Sequence, residues 1–167
     1  MQKTFTLLFF LLAATYLSAQ SNLLISGVID GPLPGGTPKA VELYVLDDIA
    51  DLSAYGLGAA NNGGGTDGQE YTFPADAVTE GTYIYVTTNG TDFNTYFGFE
   101  ADYVDDQMNS SVNINGDDAI ELFQNGVVVD VFGDIDIDGT GTPWEYKDGW
   151  VYRIDGTGPD ASTFEEQ

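Results

Sequence analysis

Ala119-Ile120-Glu121-Leu122-Phe123-Gln124-Asn125-Gly126-Val127-Val128-Val129-Asp130-Val131-Phe132 decides the fold of this chain. Two β-branched, aromatic-rich runs flank Asn-Gly, the strongest two-residue signal for a type I′ hairpin turn. An uninterrupted two-residue turn sets the register. Ile120 then opposes Val131 and Leu122 opposes Val129, all on one face, which is the expected core. Glu121 falls opposite Asp130 on the other face. Like charges facing each other are mildly destabilising unless screened or relieved by a cation, either Arg153 or a bound ion.

Working outward, the same alternation recurs in short runs broken by Gly, Asn and Asp. It predicts strands near Leu23–Val28, Ala40–Leu46, Ala54–Leu57, Gln69–Phe73, Tyr83–Thr88, Ser111–Ile114, Ala119–Phe123, Val127–Phe132 and Trp150–Ile154. One short helix is expected over Asp92–Phe97, capped by Thr91 or Asp92. Gly31–Pro38 and Asn61–Gly68 read as surface excursions. Asp138-Gly-Thr-Gly-Thr-Pro143 and Asp155-Gly-Thr-Gly-Pro159 echo each other as Gly/Pro turns. Many short strands with turns between them predict an all-β sandwich or barrel.

The chain has 167 residues. Residues 1–19 read as a secretory signal, with Lys3 ahead of the apolar run Phe5–Ala14 and Leu17-Ser18-Ala19 at the cleavage site. Cleavage after Ala19 leaves residues 20–167 as one domain, secreted or periplasmic, with no further run long enough to span a membrane.

There is no cysteine and no histidine. Ser-His-Asp and Cys-His nucleophile systems, His/Cys zinc sites and histidine-dependent nucleases are therefore excluded. Lys and Arg number 4 against 27 acids, for a net charge of −23. Such a surface repels phosphate backbones and anionic lipid, so direct nucleic-acid binding is not expected.

Four pieces resemble a known group. Val41-Glu42-Leu43-Tyr44, Asp51-Leu-Ser-Ala-Tyr-Gly-Leu57, Gly81-Thr-Tyr-Ile-Tyr-Val86, and Asn115-Gly-Asp-Asp-Ala-Ile-Glu-Leu-Phe123 with Val128-Val-Asp-Val-Phe132 follow the order and spacing of the lamin tail domain family. The resemblance implies an immunoglobulin-like β-sandwich. Its secreted bacterial form accompanies extracellular nucleases and other large secreted proteins, as a non-catalytic accessory module. It also implies a further strand beyond Gln167, so the chain reads as truncated or as part of a longer protein.

Asp134-Ile-Asp136-Ile-Asp138-Gly139-Thr140-Gly-Thr-Pro-Trp-Glu145 satisfies the letters of an EF-hand loop. A Val-rich strand enters it and Pro143 forbids a clean exit helix, so it is not an EF-hand. It is instead a candidate calcium loop on a sandwich, of affinity on the order of 10⁻⁴–10⁻³ M. Asp134, Asp136, Asp138 and Glu145 would give side-chain oxygens, and Thr140 its carbonyl. The competing reading is a half-buried strand with Ile135 and Ile137 inward.

Asp117 and Asp118 read as turn residues opening the hairpin rather than as ligands. Trp144, Tyr146, Trp150 and Tyr152 form a late aromatic cluster. Alternation puts Trp150 and Tyr152 on one face, either as core cover or as a platform for sugar. Paired-carboxylate glycosidase chemistry would need two acids about 5–10 Å apart in a cleft. The function expected is a non-catalytic secreted module for interaction or display, on a protein or glycan surface. Its rivals are a fragment of an extracellular nuclease or other hydrolase, and a carbohydrate-binding module.

Overall fold

The computed structural model describes residues 21–107 and 110–160. The signal peptide assigned to residues 1–19 and the chain end lie outside these residues. The chain forms β1 (Leu23–Leu33), β2 (Thr37–Val45), β3 (Tyr55–Ala60), β4 (Tyr71–Thr72), β5 (Tyr83–Thr87), helix α1 (Gly90–Phe97), β6 (Tyr103–Val104), β7 (Ala119–Gln124), β8 (Val127–Phe132) and β9 (Gly149–Tyr152). They make two sheets, one in the order β6-β5-β2-β1-β9 and one in the order β4-β3-β7-β8. The fold is an all-β sandwich.

The core lies between the sheets. Leu23, Ile25, Val28, Val41, Leu43, Ile84 and Val86 of the first meet Tyr55, Leu57, Ala59, Ile120 and Leu122 of the second. In β1, Ile25 and Val28 both point inward although three apart. A bulge between Ile25 and Gly27 inserts Ser26 and shifts the alternation by one. Gly27 and Ile29 are thereby turned to the outer face.

The hairpin turn forms as read, with positive φ at Asn125 (53°) and Gly126 (75°). The register does not. A second bulge, at Val129, makes Leu122 oppose Asp130, Glu121 oppose Val131 and Ile120 oppose Phe132. Ile120 and Leu122 are core as expected, but Val131 gives up its expected partner. Phe132 packs on the core, Val129 is half-buried against it, and the facing pair Glu121–Asp130 does not exist. Both acids are buried rather than exposed and screened.

The bulge has a physical consequence at the seam between the sheets. Asp130 is 0% exposed and accepts from the Ile25 N–H (2.7 Å), the Asp160 N–H (2.8 Å) and Arg153 Nη2 (2.8 Å to each carboxylate oxygen). Arg153 Nε donates to the Ile25 carbonyl at 2.6 Å. One ion pair thus joins β1, β8 and the segment after β9. Burial raises the Asp130 carboxyl above its ordinary value, and Arg153 with the two N–H groups pulls it back.

Other boundaries move for local reasons. The helix begins earlier than expected because Asn89 is the cap, accepting from the Thr91 (2.9 Å) and Asp92 (3.2 Å) N–H groups. Gly31–Pro38 is no excursion: β1 and β2 run through it to a turn at residues 34–36. Ser111–Ile114 is a turn that plugs Val112 and Ile114 into the core, not a strand. Asp134–Asp138 is also a turn, with Ile135 packed near Trp144 and Ile137 half exposed. The parallel pairing of β6 with β5 was not foreseen, since two residues carry no period.

Candidate binding face

The outer face of the five-stranded sheet is covered at one end only. Phe93 of α1 sits on Ile29 and Ala40, with Tyr85, Phe97 and Ala101 around it. Beyond the helix the face is open and aromatic. Trp150 and Tyr152 project from β9, 49% and 56% exposed, and Tyr83 from β5 is 52% exposed. The ring centroids of Tyr44 and Tyr83 are 4.9 Å apart.

Register explains the alignment. Tyr152 pairs with Gly27, Gly27 with Glu42, and Glu42 with Tyr85, one row across β9-β1-β2-β5. A Cβ on Gly27 would lie 3.0 Å from Tyr152 Cδ1, so only glycine lets that ring rest on the sheet. The carboxylate of Glu42 lies in the middle of the row, 7% exposed. It accepts from Ser26 Oγ at 2.8 Å, and the Tyr85 hydroxyl lies close enough to feel its charge. Burial, then the Glu42 contact, pushes the Tyr85 phenol well above its usual range; burial, then the charge of Glu42, raises Tyr152. Both rings therefore stay neutral donors at physiological pH.

Beside this row runs a groove of about 470 Å³. Leu24, Ser26, Tyr44 and Tyr83 line one part of it, and Arg153 with the turn Ile154–Gly158 lines the rest. Arg153 Nη1 has no hydrogen-bond partner among the described residues.

The alternation reading placed Trp150 and Tyr152 on one face, and they are. Trp144 and Tyr146 are separated from them and buried: Tyr146 donates to the Asp118 carbonyl at 2.9 Å, and Trp144 packs on Ala60 and Ala119. Glu42, Tyr44, Tyr83 and Tyr85 were missed as members of the face. The signal was available, because Tyr83 and Tyr85 alternate with Ile84 and Val86.

The Asp134–Glu145 residues are placed differently from a ligand cage. Asp134 accepts from the Asp136 N–H (3.0 Å), Asp138 from the Thr140 N–H (2.9 Å) and Glu145 from the Gly141 N–H (2.8 Å). Thr140 Oγ1 donates to Asp117 at 2.8 Å. As placed, each of these three carboxylates satisfies its own loop, and among the described residues no group of three or more acids gathers to hold a metal. The donor set in this geometry does not fit calcium without rearrangement. Asp118 is buried and accepts from the Asn115 N–H (3.1 Å) within its own turn and from the Asn62 N–H (2.9 Å) of the distant segment after β3. Burial raises its carboxyl, against those two contacts.

Glu121 and Glu70 lie under the loop that follows β3. Glu70 accepts from the Ala59 N–H at 2.9 Å, and Glu121 is 1% exposed with Oε2 unpartnered among the described residues. Burial raises both carboxyls, and the charge of Asp67 adds to it.

No family model, curated protein or solved structure matches the chain.

Proposed function

We propose that the chain is a non-catalytic, secreted interaction module that engages its partner through the outer face of the five-stranded sheet. The observation that carries this reading is the set of exposed rings, Trp150 and Tyr152 of β9 and Tyr83 of β5, on either side of a buried carboxylate, on a sheet face whose other end is closed by α1. Solvent-exposed rings contribute little to folding, and contiguous aromatic patches on a soluble domain mark contact surfaces. The lack of His and Cys supports a binding role over a catalytic one. The likeness to lamin tail domains, with the immunoglobulin-like sandwich it implies, and the signal-like residues 1–19 support an accessory role outside the cell.

A calcium ion on the 134–145 loop is proposed only as a stabiliser. Binding would exchange the N–H contacts of Asp134, Asp138 and Glu145 for the ion.

The test is a triple variant, Trp150→Ser, Tyr152→Ser, Tyr83→Ser. If the rings are kept for contact, each change costs within about 1 kcal/mol, a few degrees of melting midpoint. A collapse of the fold in this variant would assign the rings to stability and remove the proposal.

A further inference from the structure

We propose that the occupant of this face is an extended, uncharged polysaccharide chain. The inference rests on reading the face as the binding surface and adds the chemistry of what binds there.

Three features of the strip select the ligand. The first is the nature of its exposed apolar surface. Leu24 is buried, and what solvent meets here is the rings of Tyr44, Tyr83, Tyr85, Tyr152 and Trp150, with the aliphatic side chains of Leu46 and Ile154 beside them. An aromatic face is electron-rich and attracts the weakly positive C–H bonds that line one side of a pyranose ring. Aliphatic anchors, which a docked protein helix would call for, are outnumbered by rings: Leu46 and Ile154 against five aromatic side chains.

The second feature is its polar groups. Glu42 is a buried acceptor held by Ser26 Oγ, with the Tyr85 hydroxyl near it. Arg153 backs the groove with its guanidinium turned inward to Asp130 and Ile25, so the donors of this face are the phenol hydroxyls. Donors and acceptors set between rings suit hydroxyl groups spaced around sugars, and pockets with a few placed polar groups gain orientation from them. The row from Tyr152 to Tyr85 crosses three inter-strand steps, roughly 14 Å at about 4.8 Å each. That length fits an oligosaccharide stretch rather than one sugar.

The third feature is charge. Of the three cations in residues 20–167, Lys39 and Arg153 are turned inward against Asp30 and Asp130, each at 2.8 Å. The outer surface therefore carries the acids almost uncompensated. An anionic glycan, a nucleic acid or a second copy of this chain would all be repelled. An uncharged polymer is not.

The experiment is native gel electrophoresis of the full chain through gels containing hydroxyethylcellulose, mixed-linkage β-glucan or alginate. The expected result is retardation by at least one neutral polymer, none by alginate, and at least a tenfold loss of affinity in Trp150→Ala and in Tyr83→Ala. Val127→Ala, exposed on the other sheet, should behave as wild type. Unretarded migration in both neutral gels overturns the inference, as does retardation that the two aromatic variants leave intact. Self-association by sedimentation, or capture of a polylysine peptide lost in the same variants, would also overturn it. If glycan binding fails while the triple serine variant keeps its melting midpoint, the interaction face stands and only its ligand is wrong. If that variant unfolds, both readings fall.

Discussion

Replacing Asp130 with alanine removes the acceptor for Ile25, Asp160 and both contacts of Arg153 Nη2. Arg153 is left with a side chain only 9% exposed and, among the described residues, one hydrogen bond, to the Ile25 carbonyl. Removing one partner of a buried ion pair costs about 3–5 kcal/mol, because the surviving charge stays desolvated. A domain of this size has roughly 5–15 kcal/mol in total, so the variant should lose about a fifth or more of its stability. Urea unfolding read by far-ultraviolet circular dichroism measures it: the midpoint should fall sharply with an unchanged slope. Asp130→Leu with Arg153→Met removes the stranded charge and should recover part of the loss, the Ile25 and Asp160 N–H groups still lacking their acceptor. A cost below about 1 kcal/mol for Asp130→Ala, or no recovery in the double variant, would refute the claim that this pair clasps the two sheets.

Two further outcomes follow from the buried acids and the acidic loop. Glu121, Glu70 and Asp118 all have folded-state carboxyls raised by burial, so the native state binds more protons than the unfolded chain above their ordinary values. Their contribution to stability is fully present below the ordinary carboxylate values and is lost as pH rises through the raised ones. Melting midpoints should climb from pH 7 toward pH 5, and Glu121→Gln should gain about 1 kcal/mol at pH 7 while flattening that slope. A midpoint that falls on mild acidification would contradict this. For the 134–145 loop, calcium at 10 mM against an affinity of 10⁻⁴–10⁻³ M should add roughly 1.4–2.7 kcal/mol. An unchanged midpoint would end the calcium proposal.

Much of the sandwich was legible because its signals are local. Asn125-Gly126 forces its turn, and period-two runs such as Tyr83–Thr87 announce strands. The bulges at Ser26 and Val129 were not legible, since an extra residue changes register without changing composition. That one-residue slip is why Asp130 was expected outside and is found as the clasp of the fold. The site divides in the same way. Trp150 and Tyr152 follow from alternation within one strand. Glu42 and Tyr85 join them only through the cross-strand pairing β9-β1-β2-β5, which no single run encodes. The calcium-like letters run from Asp134 to Glu145 in order, yet chain order says nothing about where each carboxylate points. Three of them are turned to their own backbone.

Backbone amide shifts of the ¹⁵N-labelled chain, followed as a soluble neutral β-glucan oligosaccharide is added, test the binding face most directly. Changes should concentrate at Ser26, Glu42, Tyr44, Tyr83, Tyr85, Trp150 and Tyr152, with the 134–145 loop and β8 unmoved. Saturating oligosaccharide with no shifts on that row, or with shifts confined to the acidic loop, would contradict it.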